Sequence, residues 1–135
     1  MKKILIVIAN YYSDISKNLK SSALKHLSKK KYSVKIIYVP GVFEIPVTIS
    51  KNHNKFHGFI ALGCVIKGET PHFNFISQST TNAIVYQSIK FKKPVGNGII
   101  TCLNKKQALE RANPEGKNIG GNAVSAVLQT LANFK

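Results

Sequence analysis

Along this 135-residue chain the apolar residues change period again and again, between the unbroken runs of buried strands and the four-residue spacing of amphipathic helices. Ile4–Ala9 is a short apolar run that predicts a buried strand. Over Asp14–Lys29 the residues Ile15, Leu19, Ala23 and Leu27 recur every fourth position, which predicts a helix that Ser13 or Asp14 caps. Val34–Val39 predicts a second strand. Pro40-Gly41 predicts a turn with a helix just beyond it, since Pro46 is tolerated only near a first helical turn. Phe59–Val65 predicts a third strand. Phe73–Ile89 predicts a helix with Phe73, Ile76, Ala83 and Ile84 on one side. Val95–Thr101 predicts a fourth strand, weakened by Gly96 and Gly98. A short helix should run from an Asn104 cap through Arg111, and Gly120-Gly121 should precede a last helix, Asn122–Phe134.

Four strand–helix alternations imply a parallel sheet covered by helices on both faces, joined by right-handed crossovers. The expected fold class is α/β: a three-layer α/β/α sandwich with a four-stranded parallel sheet, flavodoxin-like. No linker, repeat or low-complexity block interrupts residues 1–135, so one domain is expected. Open sheets of this kind bind ligands outside the carboxyl ends of their strands. That rule selects Asn10–Asp14, Pro40–Glu44, Ile66–His72 and the region after the fourth strand.

Composition narrows the chemistry. Cys64 and Cys102 both fall in apolar, strand-like runs, where cysteine behaves as a small hydrophobe; no disulfide framework is implied and a reduced, cytoplasmic setting is expected. The four histidines, His26, His53, His57 and His72, form no ligand pattern, so no metal is expected. Lys2-Lys3 ahead of an apolar run superficially resembles a signal peptide, but the run is too short and Asn10-Tyr11-Tyr12 breaks it. No stretch is long enough to span a bilayer. The net charge of +15 would suit a nucleic-acid or anionic-membrane partner. Its lysines are scattered, however, and only Lys29-Lys30-Lys31 form a run. The charge therefore reads as a solvated surface, with no nucleic-acid and no membrane partner.

The strand-end segments hold the candidate site. Gly63-Cys64-Val65-Ile66-Lys67-Gly68-Glu69-Thr70-Pro71-His72-Phe73 runs from a buried strand through a glycine turn into a helix. Backbone N–H groups at that helix start, with the Thr70 hydroxyl, would make an anion seat. His72 lies beside it in sequence, and histidine is the residue type whose ordinary titration range suits proton transfer. Of five acidic residues, Glu44 and Glu69 fall in these segments; Glu44 either accepts hydrogen bonds from ligand hydroxyls or favours a helix's first turn. Arg111 is the only arginine among twenty basic residues, and its planar fork grips a phosphate at two points, as lysine cannot. Tyr11 and Tyr12, at the end of the first strand, offer rings either for stacking on a planar heterocycle or for the core. Together these residues suit a planar, hydroxylated or phosphorylated small molecule without naming a reaction.

Three segments carry a family resemblance. Val39-Pro40-Gly41-Val42-Phe43-Glu44-Ile45-Pro46 resembles the first motif of the lumazine synthase family, Ala61 through Phe73 the second, and Gly98-Ile99-Ile100-Thr101 with Gln107-Ala108-Leu109-Glu110-Arg111-Ala112 the third. Order and spacing fit, and three long motifs together are specific. The resemblance implies a transferase of riboflavin biosynthesis. It would condense 5-amino-6-ribitylaminouracil with 3,4-dihydroxy-2-butanone 4-phosphate to 6,7-dimethyl-8-ribityllumazine, with no cofactor and no metal. By position, it implies that Tyr11 stacks on the pyrimidine and that Val42, Phe43 and Glu44 bind the uracil and its ribityl chain. Cys64, Val65 and Ile66 would line the ring, largely through backbone groups. Glu69, Thr70 and Arg111 would hold the phosphate, and His72 would transfer protons. It also implies a homo-oligomer: a pentamer, a decamer or a larger shell, with Arg111 and Asn97 reaching into the neighbour's pocket. Shell-forming relatives often carry an extra strand before the position of Lys2-Lys3, so pentamer or decamer is the expectation. The chain departs from the pattern at Ile119 and Asn122, where many members have lysine and glutamate, and has Lys67 and Tyr11 for the usual arginine and phenylalanine. Those departures motivate the alternative of a degenerate relative that holds a flavin or lumazine without making it.

Overall fold

A computed structural model describes residues 1–27, 31–68 and 73–134. Four strands, β1 (Lys2–Ala9), β2 (Tyr32–Val39), β3 (Gly58–Ile66) and β4 (Val95–Cys102), pair in the order β2-β1-β3-β4, all parallel. One face is covered by α1 (Ser13–Lys25), α4 (Lys105–Ala112) and α5 (Ile119–Asn133), whose apolar rows meet Ile4, Ile6, Ile8, Ile60 and Leu62. The other is covered by a 3₁₀ turn (Val42–Glu44), α2 (Ile45–Lys51) and α3 (Phe73–Phe91), which meet Leu5, Val7, Phe59 and Ala61. The three-layer α/β/α architecture is the expected one. Each fully buried Ile or Leu of the two central strands contributes on the order of 1.5–3 kcal/mol.

Several boundaries differ from the sequence expectation for identifiable reasons. Leu27 buries with the apolar row of α1, yet α1 ends at Lys25, where the His26 N–H closes back on Ala23 O at 3.1 Å. The row outlasts the helix because a buried side chain does not require helical backbone. The remainder of the expected span, through Lys29, lies outside the described residues. Neither Ser13 nor Asp14 is the cap. Tyr12 occupies that position, and Asp14 instead pairs with Lys105 on α4 at 3.1 Å, which holds the Asp14 carboxyl below its usual range. Asn104 does cap α4, its Oδ1 accepting from Gln107 N at 2.9 Å. Pro46 sits in the first turn of α2, as its missing N–H demands.

Gly120 and Gly121 do not precede α5 but lie inside its first turn. A Cβ at Gly120 would stand 2.5 Å from Leu19 O, so the pair lets α5 cross α1 closely. Gly96 serves α5 in the same way from β4, where a Cβ would meet Ala123 O at 2.5 Å. On α3 the expected apolar side is mixed: Ile84 is buried with Thr80 and Gln87, and Gln87 Nε2 donates to Pro46 O at 2.6 Å. Phe75, Val85, Tyr86 and Ile89 of α3 face solvent in the single chain, as do Phe43 and Val47.

Candidate functional site

The ladder between β1 and β3 ends at the Ile8–Leu62 pair, while β3 runs on to Ile66. The β1-facing backbone edge of Gly63, Cys64, Val65 and Ile66 therefore has no strand partner. In place of more strand, the chain leaving β1 turns through Asn10, whose N–H donates to Val39 O at 2.9 Å, and brings Tyr11 and Tyr12 over this bare edge. The chain leaving β2 brings the Val42–Glu44 turn from the other side. Val42 seats directly on β3 because position 63 is glycine; a Cβ there would lie 2.6 Å from Val42 Cγ1 and 3.0 Å from Ala9 Cβ.

Between these segments lies a cavity of about 190 Å³ lined by Tyr11, Tyr12, Gly41, Val42, Phe43, Cys64, Val65 and Ile76. Its walls are almost wholly apolar. The Tyr11 and Tyr12 rings meet edge to face, centroids 4.9 Å apart, which fixes the Tyr11 ring while leaving Tyr11 67 % exposed. Phe43 projects equally far into solvent on the opposite rim. Two flat aromatic rims above an unpaired strand edge suit a planar heterocycle that offers hydrogen-bonding edges to the backbone. A cavity of this size is smaller than the usual 300–1,000 Å³ for a ligand of metabolite size and lies open on one side.

Of the sequence-predicted residues, Tyr11, Val42, Phe43, Cys64 and Val65 meet at this cavity. Glu44 is half-buried at its edge; a Cβ on Gly41 would stand 3.3 Å from Glu44 Oε1, so the carboxylate folds back over the turn. Ile66 does not line the cavity. Its side chain is 3 % exposed and packs with α1, α4 and α5 because strand alternation turns it to the opposite face from Val65. Only its backbone reaches the unpaired edge. Glu69, Thr70 and His72 lie outside the described residues. Gly68 leads towards them with φ +88°, a left-handed conformation that a side chain would strain.

Asn97 and Arg111 lie apart from the cavity lining, on the β4 side of the sheet. Asn97 is exposed on β4 and its Oδ1 accepts from Ile99 N at 3.0 Å. Arg111, in the last turn of α4, donates through Nη1 to Thr101 O at 2.7 Å, which holds the guanidinium at the carboxyl end of β4. Sequence reasoning missed Ile76 as a cavity wall, although its spacing from Phe73 marks the inward side of α3, and missed that Gly63 seats the turn. Ile119 packs against the core beside α1, and Asn122 Nδ2 donates to Lys117 O at 3.3 Å, so both departures from the family pattern have structural work. Among the described residues no cluster of three or more His, Cys, Asp or Glu side chains could hold a metal ion.

A doubly covered parallel sheet with an aromatic-rimmed cavity at its strand ends defines a flavodoxin-like small-molecule-binding α/β protein. A family model for 6,7-dimethyl-8-ribityllumazine synthase matches residues 1–135. A 6,7-dimethyl-8-ribityllumazine synthase of Bartonella tribocorum is 40 % identical over 132 residues, covering 96 % of this chain and 87 % of the relative. The enzyme of the same name from Bartonella bacilliformis is 41 % identical over 133 residues, 96 % of this chain and 88 % of the relative. That of Zymomonas mobilis is 36 % identical over 137 residues, covering 100 % and 97 %. The chain belongs to the 6,7-dimethyl-8-ribityllumazine synthase family.

Two outcomes follow from this geometry. Gly63→Ala should push Val42 off β3, costing about 1–3 kcal/mol in urea unfolding. It should also weaken a planar heterocycle such as riboflavin in a fluorescence titration; unchanged binding would show that the turn does not shape the cavity. Cys64, buried first of all and then facing Cys102, has its thiol pushed up to about 12. Its raised value leaves only about 10⁻⁴ of it as thiolate at pH 8, so iodoacetamide should label it only after denaturation.

Proposed function

We propose that the chain is a 6,7-dimethyl-8-ribityllumazine synthase, acting as one domain over residues 1–135. It condenses 5-amino-6-ribitylaminouracil with 3,4-dihydroxy-2-butanone 4-phosphate in riboflavin biosynthesis, releasing the lumazine, phosphate and water. The carrying observation is the unpaired β3 edge roofed by Tyr11 and Phe43, together with a family match over the whole chain.

In this reading the uracil lies on the Cys64–Ile66 backbone, which offers amide and carbonyl partners to its polar edges, and Tyr11 stacks on its face. Val42 and Phe43 confine the ring, and Glu44 accepts from the ribityl hydroxyls. Glu69 and Thr70 hold the phosphate with Arg111. The substrate's primary amine attacks the ketone to give a Schiff base, phosphate leaves, an enol forms, and the second amine closes the ring. No protein atom becomes covalently bound, so the enzyme contributes mainly by holding two competent reactants in register. His72 moves protons and adds roughly 10²-fold or less. No cofactor or metal is required. The buried, unpaired state of Cys64 and Cys102 suits a reducing cytoplasm. No helix among the described residues is long and apolar enough to cross a membrane, and the reading includes no membrane or nucleic-acid partner. The non-catalytic alternative is not favoured by relatives named as the synthase over most of the chain, and Ile119 and Asn122 have structural partners of their own.

The working site in this reading is shared between subunits of a homopentamer, alone or stacked. Three observations support it: the cavity is small and one-sided, Arg111 and Asn97 lie apart from its lining, and α3 presents an apolar face. From Phe73 through Ile89 the chain carries no charged side chain, despite a net charge of +15, and Phe75, Val85, Tyr86 and Ile89 lie exposed there.

Purified protein mixed with both substrates should form fluorescent lumazine faster than the uncatalysed reaction; no acceleration anywhere between pH 6 and 9 would sink the assignment. His72→Ala should slow turnover modestly with assembly intact, and a full-rate variant would remove His72 from its role. Native mass spectrometry should give a mass of about five, or ten, 14.9 kDa subunits; a monomer binding both substrates at full affinity would refute the shared site.

A further inference from the structure

Cys102 has no role in the reading above, yet it stands between two of its residues. It closes β4, is 1 % exposed, and points to the same face of the sheet as Cys64 on the neighbouring strand. The register pairs Cys102 with Ile66, two residues beyond Cys64, so the two thiols are diagonal neighbours. Cys64 keeps its proton and engages the Cys102 side chain. On the other side Arg111 Nη1 donates to Cys102 Sγ at 3.5 Å as well as to Thr101 O at 2.7 Å.

The two contacts differ in what they fix. A terminal guanidinium nitrogen carries two hydrogens in the plane of the group. With one directed at the Thr101 carbonyl alone, the guanidinium could still pivot about that bond. With the second directed at Cys102 Sγ, both Nη1 hydrogens are engaged and the plane is set. The Nη2 and Nε hydrogens then lie outside both contacts, on the edge that grips a phosphate at two points. Sulfur is a weak acceptor, but it is buried, and its strand backbone makes it immobile.

We propose that Cys102 is a positioning residue: its sulfur orients the Arg111 guanidinium and thereby sets the affinity for the phosphorylated ketone. The proposal rests on the reading of Arg111 as a phosphate-binding residue. Steady-state kinetics with each substrate varied in turn test both. Cys102→Ala should raise KM for the phosphorylated ketone about 3–10-fold, the weight of one ordinary hydrogen bond, with KM for the aminouracil and kcat within about twofold. Cys102→Val keeps the volume without the acceptor and should show the same loss if the alanine variant fails to assemble. Cys102→Ser restores an acceptor and should restore the KM. In an Arg111→Ala background the Cys102 substitutions should add nothing. If Arg111→Ala raises that KM and Cys102→Val does not, the positioning role is overturned while Arg111 keeps its own. If Arg111→Ala leaves it unchanged, the reading of Arg111 fails and the proposal with it. A Cys102 variant that raises both KM values or lowers kcat alike marks a purely structural residue and also overturns it.

Discussion

Val42 reaches β3 only because position 63 has no side chain, and the rest of the candidate site follows from that contact. β3 extends past the end of β1, which leaves a stretch of strand edge unpaired. An unpaired edge inside a protein would ordinarily be filled by the next segment of chain. Here the Val42–Glu44 turn comes down onto the face of β3 at Gly63 and the Tyr11–Tyr12 pair comes across from β1, and between them they roof the edge. A ligand can then complete the ladder that the fold leaves unfinished. The cost of exposing those amides is moderate while water reaches them, and the ligand recovers it in hydrogen bonds made in a drier setting.

The opposite layer serves a different end. α1, α4 and α5 are packed through small residues, Gly96 and Gly120 among them, so that the helices approach each other and β4 closely. That close packing holds α4 in place, and α4 carries Arg111 to the end of β4. Asp14 and Lys105 tie the start of α1 to the start of α4, although so exposed a pair contributes little to stability. One layer of the sandwich therefore shapes an apolar recess and the other places a cation, and the sheet between them fixes their separation. Cys64 and Cys102 lie where the two parts adjoin across β3 and β4.

Much of this was legible beforehand. Strand and helix order followed from period alone, the rule that ligands bind at carboxyl ends selected the segments holding Tyr11, Val42 and Phe43, and the family resemblance added Cys64. Local pattern failed where a long-range contact decided the outcome. Gly120-Gly121 reads as a loop because glycine disfavours helices, but the nearness of α1 requires bare positions there. Leu27 reads as helix because it is apolar at the right spacing, but burial is indifferent to backbone type. Ile66 entered through the family resemblance as a backbone contact, and strand alternation turns its side chain to the face opposite Val65. The Arg111–Cys102 contact left no signal, since a cysteine in a strand looks like any small apolar residue.

The charge distribution bears on how copies of this chain could associate, as the proposed shared site requires. Subunits that each carry +15 repel one another, and over distances beyond about 8–10 Å salt screens most of that repulsion. What salt cannot remove is the cost of bringing lysines face to face in a dry contact, where each must lose its water. A chain this basic can associate only through a surface from which charge has been kept out. The stretch of α3 from Phe73 through Ile89 is such a surface. Its exposed residues include Phe75, Val85, Tyr86 and Ile89, and β4 beside it carries no charge from Val95 to Cys102. The layer it belongs to supplies Val42, Phe43 and Ile76 to the cavity wall. Keeping Phe73 through Ile89 free of charge would therefore serve the proposed association and ligand binding together, because the same helix also lines the recess through Ile76.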